Sequence, residues 1–316
     1  MNNTKLKDKI PYKVITSLTS FPSRIDKVHL AIKTLLTQTV KPDKIILWLA
    51  TDEFPEKEKN LPRSLLILKQ KGLSIQFVEN NIRSHKKYYF AMQEYPEAII
   101  ITADDDLLYS NKLVEYLLKS YIKYPYAISA LRNHRMKVNA EGFPLKYNIW
   151  EKEVTLYKKP SLLLFPTTGA GVLYPPRCLH KEVFNLENIK NLCPYADDIW
   201  LKVMAILNNT PTVVAHIQTK LNVVEGIDED TSLAKINVLN SQNDVQLKSV
   251  MKIYNHFFGY SDTLTNRLKI SASKEISLKM FMIFLFHKLI HLIEFWWENG
   301  TIELIKKIFI KIIDAE

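Results

Sequence analysis

The residues best suited to chemistry are Asp104-Asp105-Asp106, consecutive carboxylates that follow the apolar run Ala98-Ile99-Ile100-Ile101-Thr102-Ala103. Neither face of that run is polar throughout, the pattern of a buried central strand in a parallel sheet. Residues two apart in an extended segment project to the same side. The spacing therefore predicts that Asp104 and Asp106 converge on one cation while Asp105 points away. Such oxygen ligands suit magnesium or manganese. The carboxyl ends of strands in open α/β sheets are also where ligands bind. The same residues would serve, alternatively, as a solvated Asp-rich turn ahead of the helix that begins near Asn111.

Other groups carry weaker signals. Arg83-Ser84-His85-Lys86-Lys87 sets cations at a loop-to-helix junction, where they are unfavourable unless an anion meets them. It reads either as a solvated basic loop or as the partner of a metal in neutralising a diphosphate. Asp197 and Asp198 open a helix, where the dipole stabilises carboxylates, so simple capping competes with a catalytic role. His216, near the exit of a strand over 212–217, is an extra metal-ligand candidate or a structural histidine. Gly169 and Gly171, two of only seven glycines, mark a tight turn or close approach to a ligand. They form no dinucleotide fingerprint, because the third glycine and the strand-to-helix context are missing.

The elements that must position these groups alternate. Lys13 to Ser20 reads as a strand; Ile25, Val28, Ala31, Ile32, Leu35 and Leu36 form one apolar helical stripe; Lys44 to Ala50 is a second strand. A helix over 62–71 and a strand over 73–78 follow. This order signals right-handed βαβ units and a largely parallel sheet, with 98–103 as the next strand. Downstream, 112–123 is a helix, 127–131 a short strand, 136–159 irregular, and 245–258 a helix closing the main domain.

With 316 residues, 47% of them hydrophobic, the chain can bury a sizeable core. A net charge of +10 suggests an anionic partner such as nucleotide phosphates or an acidic membrane surface. Cys178 and Cys193 imply no disulfide framework and suit a reducing compartment. Residues 1–10 lack the apolar core of a secretion signal, so a cytoplasmic location is expected. The tail differs. The run Met280 to Phe286 is interrupted on both sides by charges, and 301–313 is basic and amphipathic, fitting either a membrane interface or an oligomer contact. Trp296 and Trp297 favour the membrane surface.

Taken together, Ser17-Leu18-Thr19-Ser20-Phe21-Pro22-Ser23-Arg24, Arg83 to Lys87 followed by Ala103-Asp104-Asp105-Asp106, and Ala196-Asp197-Asp198-Ile199-Trp200 resemble bacterial glycosyltransferases of the GT-A fold, close to family 2. The resemblance covers 12–258 and leaves 259–316 as a helical appendage. It implies a GT-A (Rossmann-like) α/β fold, with a mixed, mainly parallel sheet flanked by helices. Asp104-Asp105-Asp106 looks like the family's DxD motif, which binds Mn2+ or Mg2+ and the nucleotide sugar. Ala196-Asp197-Asp198 is similar to the later xED motif, with Asp in place of Glu, which leaves open whether Asp198 or Asp197 is the base. By the same resemblance Thr19, Arg24 and Arg83 lie near the nucleotide and Lys86 or Lys87 near its phosphates, while Gly169, Gly171 and Tyr174 shape the acceptor or sugar pocket. The implied partners are a nucleotide-sugar donor, a UDP-sugar first among them, and a glycan or glycolipid acceptor at the cytoplasmic membrane surface. The implied reaction is an inverting transfer in surface polysaccharide biosynthesis. Metal-dependent phosphatases or nucleases and a non-catalytic membrane scaffold are the competing classes. The dispersed basic residues and the lack of a recognised motif argue against nucleic acid.

Overall fold

The computed structural model of the protein describes residues 6–216, 222–226, 241–257, 259 and 261–298. The strands are β1 (Val14–Thr19), β2 (Lys44–Ala50), β3 (Leu73–Val78), β4 (Ile99–Thr102), β5 (Leu107–Leu108) and β6 (Ile128–Ala130), followed by β7 (Asn133–Arg135), β8 (Leu164–Pro166), β9 (Val172–Tyr174), β10 (Thr212–Val214) and β11 (Asn222–Val223). The helices are α1 (Val28–Leu36), α2 (Arg63–Leu66), α3 (Lys86–Glu94), α4 (Leu113–Lys123), α5 (Leu186–Leu192), α6 (Asp197–Leu207), α7 (Gln242–Tyr254) and α8 (Leu264–Glu298).

Seven strands form the main sheet in the order β10-β6-β9-β4-β1-β2-β3. All run parallel except β9, which is antiparallel to both β4 and β6. This is the mixed, mainly parallel α/β sheet flanked by helices that the GT-A resemblance implies. The sequence reading had no strand at 172–174; its flanking glycines and prolines read as loop, yet Val172 to Tyr174 pair on both edges.

The period of two sorts each strand between two helical layers. Val14 and Leu18 of β1, Ile45, Leu47 and Leu49 of β2, and Ile99 and Ile101 of β4 pack against Val28, Ile32 and Leu35 of α1 and Leu113, Leu117 and Leu118 of α4. Ile15, Ile46, Trp48 and Ile100 face the other way, onto Ala91 of α3. Each fully buried aliphatic side chain contributes about 1.5–3 kcal/mol. With both faces covered, charged side chains are left to the strand ends, and Asp104, Asp105 and Asp106 lie just past the end of β4.

The chain divides into two compact units, 1–269 and 270–316. The first extends past residue 258, the sequence-based boundary, because Leu264 and Leu268 are buried. Arg267 also donates to the Ile206 and Leu207 carbonyls at 2.9 and 2.8 Å, capping the end of α6. No helix among the described residues is long and apolar enough to cross a membrane. The amphipathic segment 301–313 lies outside the described residues.

Candidate active site

Strand β4 ends at Thr102, and the chain turns at Asp105 and Asp106 before β5. The pleat therefore stops short of the acidic residues, and strand alternation does not set their directions. Instead Tyr109 and two cations do. The Asp104 N–H donates to Tyr109 Oη at 2.6 Å, and that hydroxyl donates to the Gly169 carbonyl. Asp105 is turned inward, accepting from Ser20 Oγ at 2.6 Å and Arg24 Nη1 at 2.9 Å. The same Arg24 nitrogen reaches Asp106 Oδ2 at 2.8 Å. Burial, with Asp104 and Asp105 as neighbours, pushes Asp106 up to about 6.

Lys87, at the start of α3, joins the two acidic motifs. Its buried Nζ lies 2.6 Å from Asp104 Oδ1 and 3.0 Å from Asp197 Oδ2. Burial disfavours the ammonium, but the two carboxylates outweigh it and raise its pKa. Asp197 also accepts from Thr168 Oγ1 at 2.8 Å. Burial pushes this carboxyl up, yet Lys87 and His85 hold it below the usual range. Its neighbour Asp198 has the opposite fate. Desolvation and then the Asp197 charge raise it to about 7. Two adjacent carboxylates are thus driven apart, one kept ionised and the other poised near neutrality, as acid–base sites require.

The remaining predicted residues divide. Arg24 lies within the acidic cluster, and Arg83 is exposed with its guanidinium 4.6 Å from the centre of the Tyr195 ring. Thr19 donates to the Trp48 carbonyl at 2.8 Å, tying β1 to β2. The expected phosphate contact of Lys86 gives way to a buried role: its Nζ is held by Glu53 at 2.9 Å and Asn81 at 3.1 Å. Lys87 is likewise occupied by carboxylates. Gly169 abuts Asp104, where a Cβ would overlap Oδ2, whereas Gly171, at φ +100°, backs onto Leu113 on the helical side. Tyr174 is a core residue of β9, only 1% exposed, and lines a cavity with Met92, Pro175 and Phe184. His216 stacks on Tyr116 with ring centres 3.8 Å apart, a placement that pairs it with an aromatic ring.

Sequence reasoning missed Thr168, which it passed over inside the glycine loop, and the segment 136–159, read as irregular. From that segment Tyr147 comes under the influence of Asp198 and Arg132, and Lys152 under that of Asp244 and Asp198. The run of aromatic and charged residues there was the available signal.

The residues present fit a divalent cation held jointly with a ligand. The Asp104 and Asp106 side chains are 37% and 23% exposed, against 6% for Asp105, so these two can reach an ion arriving from solvent. Crowded carboxylates that raise one another's proton affinity are what a cation relieves. Among the described residues no three His, Cys, Asp or Glu side chains form a closed cage. Magnesium commonly takes only one or two carboxylates and completes its shell with water and substrate phosphates.

No protein-family model matches the chain, and neither does any curated protein. Similar solved structures include glucosyl-3-phosphoglycerate synthase from Mycobacterium tuberculosis with Mn2+, UDP and glucosyl-3-phosphoglycerate, at 11% identity and a TM-score of 0.31, over 41% of this chain and 47% of that one. The same synthase with Mg2+ and UDP matches at 10% identity and 0.31, with the same coverage of 41% and 47%. S. aureus TarS, residues 1–349, matches at 14% identity and 0.39, over 65% of this chain and 59% of that one. The chain thus spans about half the length of the synthase. At these identities and TM-scores the substrates of those proteins do not transfer to this one.

Proposed function

We propose that this chain is a GT-A glycosyltransferase that moves a sugar from a nucleotide-diphosphate donor to a hydroxyl of a glycan or glycolipid acceptor, with inversion. The observation that carries this reading is the Lys87 ammonium standing between Asp104 and Asp197, so that both acidic motifs border one site at the carboxyl edge of the sheet. Asp104 and Asp106 would hold the divalent ion, Mn2+ or Mg2+. When bound, that ion supplies Lewis-acid stabilisation of the departing diphosphate. Asp198 is the base: burial and the Asp197 charge raise its pKa to about 7, which gives it the proton affinity to take a hydroxyl proton. Asp197, locked by Lys87 and Thr168, stays ionised and holds Lys87 and the Thr168 loop in place. A UDP-sugar is the first donor to try, and the basic composition supports work at an acidic membrane surface, with surface polysaccharide as the product class.

The test is calorimetry of nucleoside diphosphates with and without Mn2+, followed by a screen of nucleotide-sugar hydrolysis. Metal-dependent diphosphate binding and slow loss of one donor to water are expected. A protein that binds no nucleoside diphosphate under either condition does not perform this reaction.

A further inference from the structure

Two residues before Lys87 the chain buries a histidine that neither cation binding nor proton transfer uses. His85 closes the turn Arg83–His85 at the start of α3 and is 0% exposed. Both ring nitrogens are engaged: Nε2 lies 2.7 Å from the Cys193 carbonyl oxygen and Nδ1 2.9 Å from Tyr88 Oη. A carbonyl can only accept, so Nε2 carries the proton and Nδ1 accepts from the tyrosine hydroxyl. Burial lowers the pKa of the ring to about 4, which keeps it in this neutral form.

The carbonyl it holds stands just ahead of the second acidic motif. Cys193 ends α5, and Ala196 is the residue before α6. The Cys193 thiol donates to the Ala196 carbonyl at 3.1 Å, and the same carbonyl accepts from the Trp200 N–H at 3.2 Å, inside the first turn of α6. A bond that fixes the Cys193 carbonyl therefore fixes where α6 begins. Ser17 Oγ, which receives the Trp48 indole N–H at 2.9 Å, donates to the Lys87 carbonyl and ties the first turn of α3 to β1. His85–Cys193 and Lys87–Asp197 are thus adjacent rungs between the same two helix starts, at 2.7 and 3.0 Å. They differ in stiffness. The lysine stem is flexible and would follow Asp197 if α6 shifted, whereas the imidazole, packed edge-on against the Tyr88 ring, has no such slack.

We infer that His85 is a positioning residue: its Nε2–H bond to the Cys193 carbonyl sets the register of α6 against α3, and with it the place of Asp198 relative to the cation-binding carboxylates. The catalytic half of this inference rests on the transferase reading; the register itself does not.

Two variants separate the bond from mere filling of space. His85→Phe fills the site without the donor, and His85→Gln keeps an amide N–H for the carbonyl and an oxygen for the Tyr88 hydroxyl. Urea denaturation at pH 7 of His85→Phe, Lys87→Met and the double variant reads the register without activity. Losing Lys87 should cost less in the His85→Phe background than in the parent, because rungs that share two helix starts are coupled. Additive costs overturn the register. His85→Asn, whose amide is too short to reach Cys193, takes the place of His85→Phe if that variant does not fold. In turnover, His85→Phe should lower kcat by about 10- to 100-fold, the scale of a misplaced catalytic group. Its Mn2+-dependent affinity for a nucleoside diphosphate should stay within about twofold of the parent in calorimetry, and His85→Gln should recover most of kcat. A Phe variant as active as the Gln variant, or equal losses in binding and turnover, overturns the positioning role. If the parent protein binds no nucleoside diphosphate, the transferase reading falls and the denaturation cycle still decides the register.

Discussion

The Lys87 ammonium stands 3.0 Å from Asp197 Oδ2, a contact between the first turn of α3 and the first residue of α6. Because both groups are buried, replacing Lys87 by Met should cost about 3–5 kcal/mol, the penalty for stranding a charge inside. Urea denaturation at pH 7 measures it. Asp197 has a depressed pKa, so its share of the stability is present above the unfolded value of 3.8 and lost as pH falls through the lower folded value. The gap between parent and Lys87→Met should therefore close in strong acid. A gap that persists unchanged at pH 2 would mean that the contact contributes little.

With Asp198 as the proposed base, it should set the pH dependence of turnover. Since its carboxyl is raised to about 7, the active, ionised form grows as pH rises, and the transfer rate should climb through pH 7 and level off above it. Asp198→Asn should lower kcat by about 10²–10⁴-fold and remove that limb of the profile. The raised pKa also costs stability as pH rises above the unfolded value of 3.8, because the unfolded chain gives up this proton first, and the cost is complete above about 7. Asp198→Asn should accordingly gain melting temperature relative to the parent between pH 4 and pH 8.

Loss of Asp106 should be felt by the ligand more than by the fold. Its side chain is partly exposed and shares the Arg24 nitrogen with Asp105, which keeps that arginine anchored in the variant. We expect Asp106→Ala to bind a nucleoside diphosphate at least tenfold more weakly in the presence of Mn2+, with the circular dichroism spectrum unchanged. Parent-like affinity in calorimetry would remove Asp106 from the metal role.

The two loop glycines should separate function from stability. A Cβ at Gly169 collides with the mobile end of Asp104, which can swing away only by leaving Lys87. Gly169→Ala should fold and lose at least tenfold in donor affinity. Gly171 has φ +100° and packs on Leu113, so Gly171→Ala should instead cost about 1–3 kcal/mol in a denaturation experiment.

The sequence alone determined the alternation of strands and helices, the apolar faces of α1 and α4, and the acidic residues at the exit of β4. Those features are local: a period of 2 or 3.6 fixes which side chains share a face, and carboxylates cannot stay inside a strand covered on both sides. Only the tertiary structure decided that Asp105 is the buried member of its trio, because the extended backbone ends at Thr102 and contacts to Arg24 and Ser20 set the direction. It likewise decided that β9 inserts antiparallel between β4 and β6, that Tyr174 is core, and that Lys86 serves Glu53. The junction of Lys87 with Asp197 joins segments whose separation along the chain carries no periodic signal. Such contacts exist only once the sheet has brought its carboxyl edge together, since a side chain's partner there is chosen by packing across the fold and not by its neighbours in sequence.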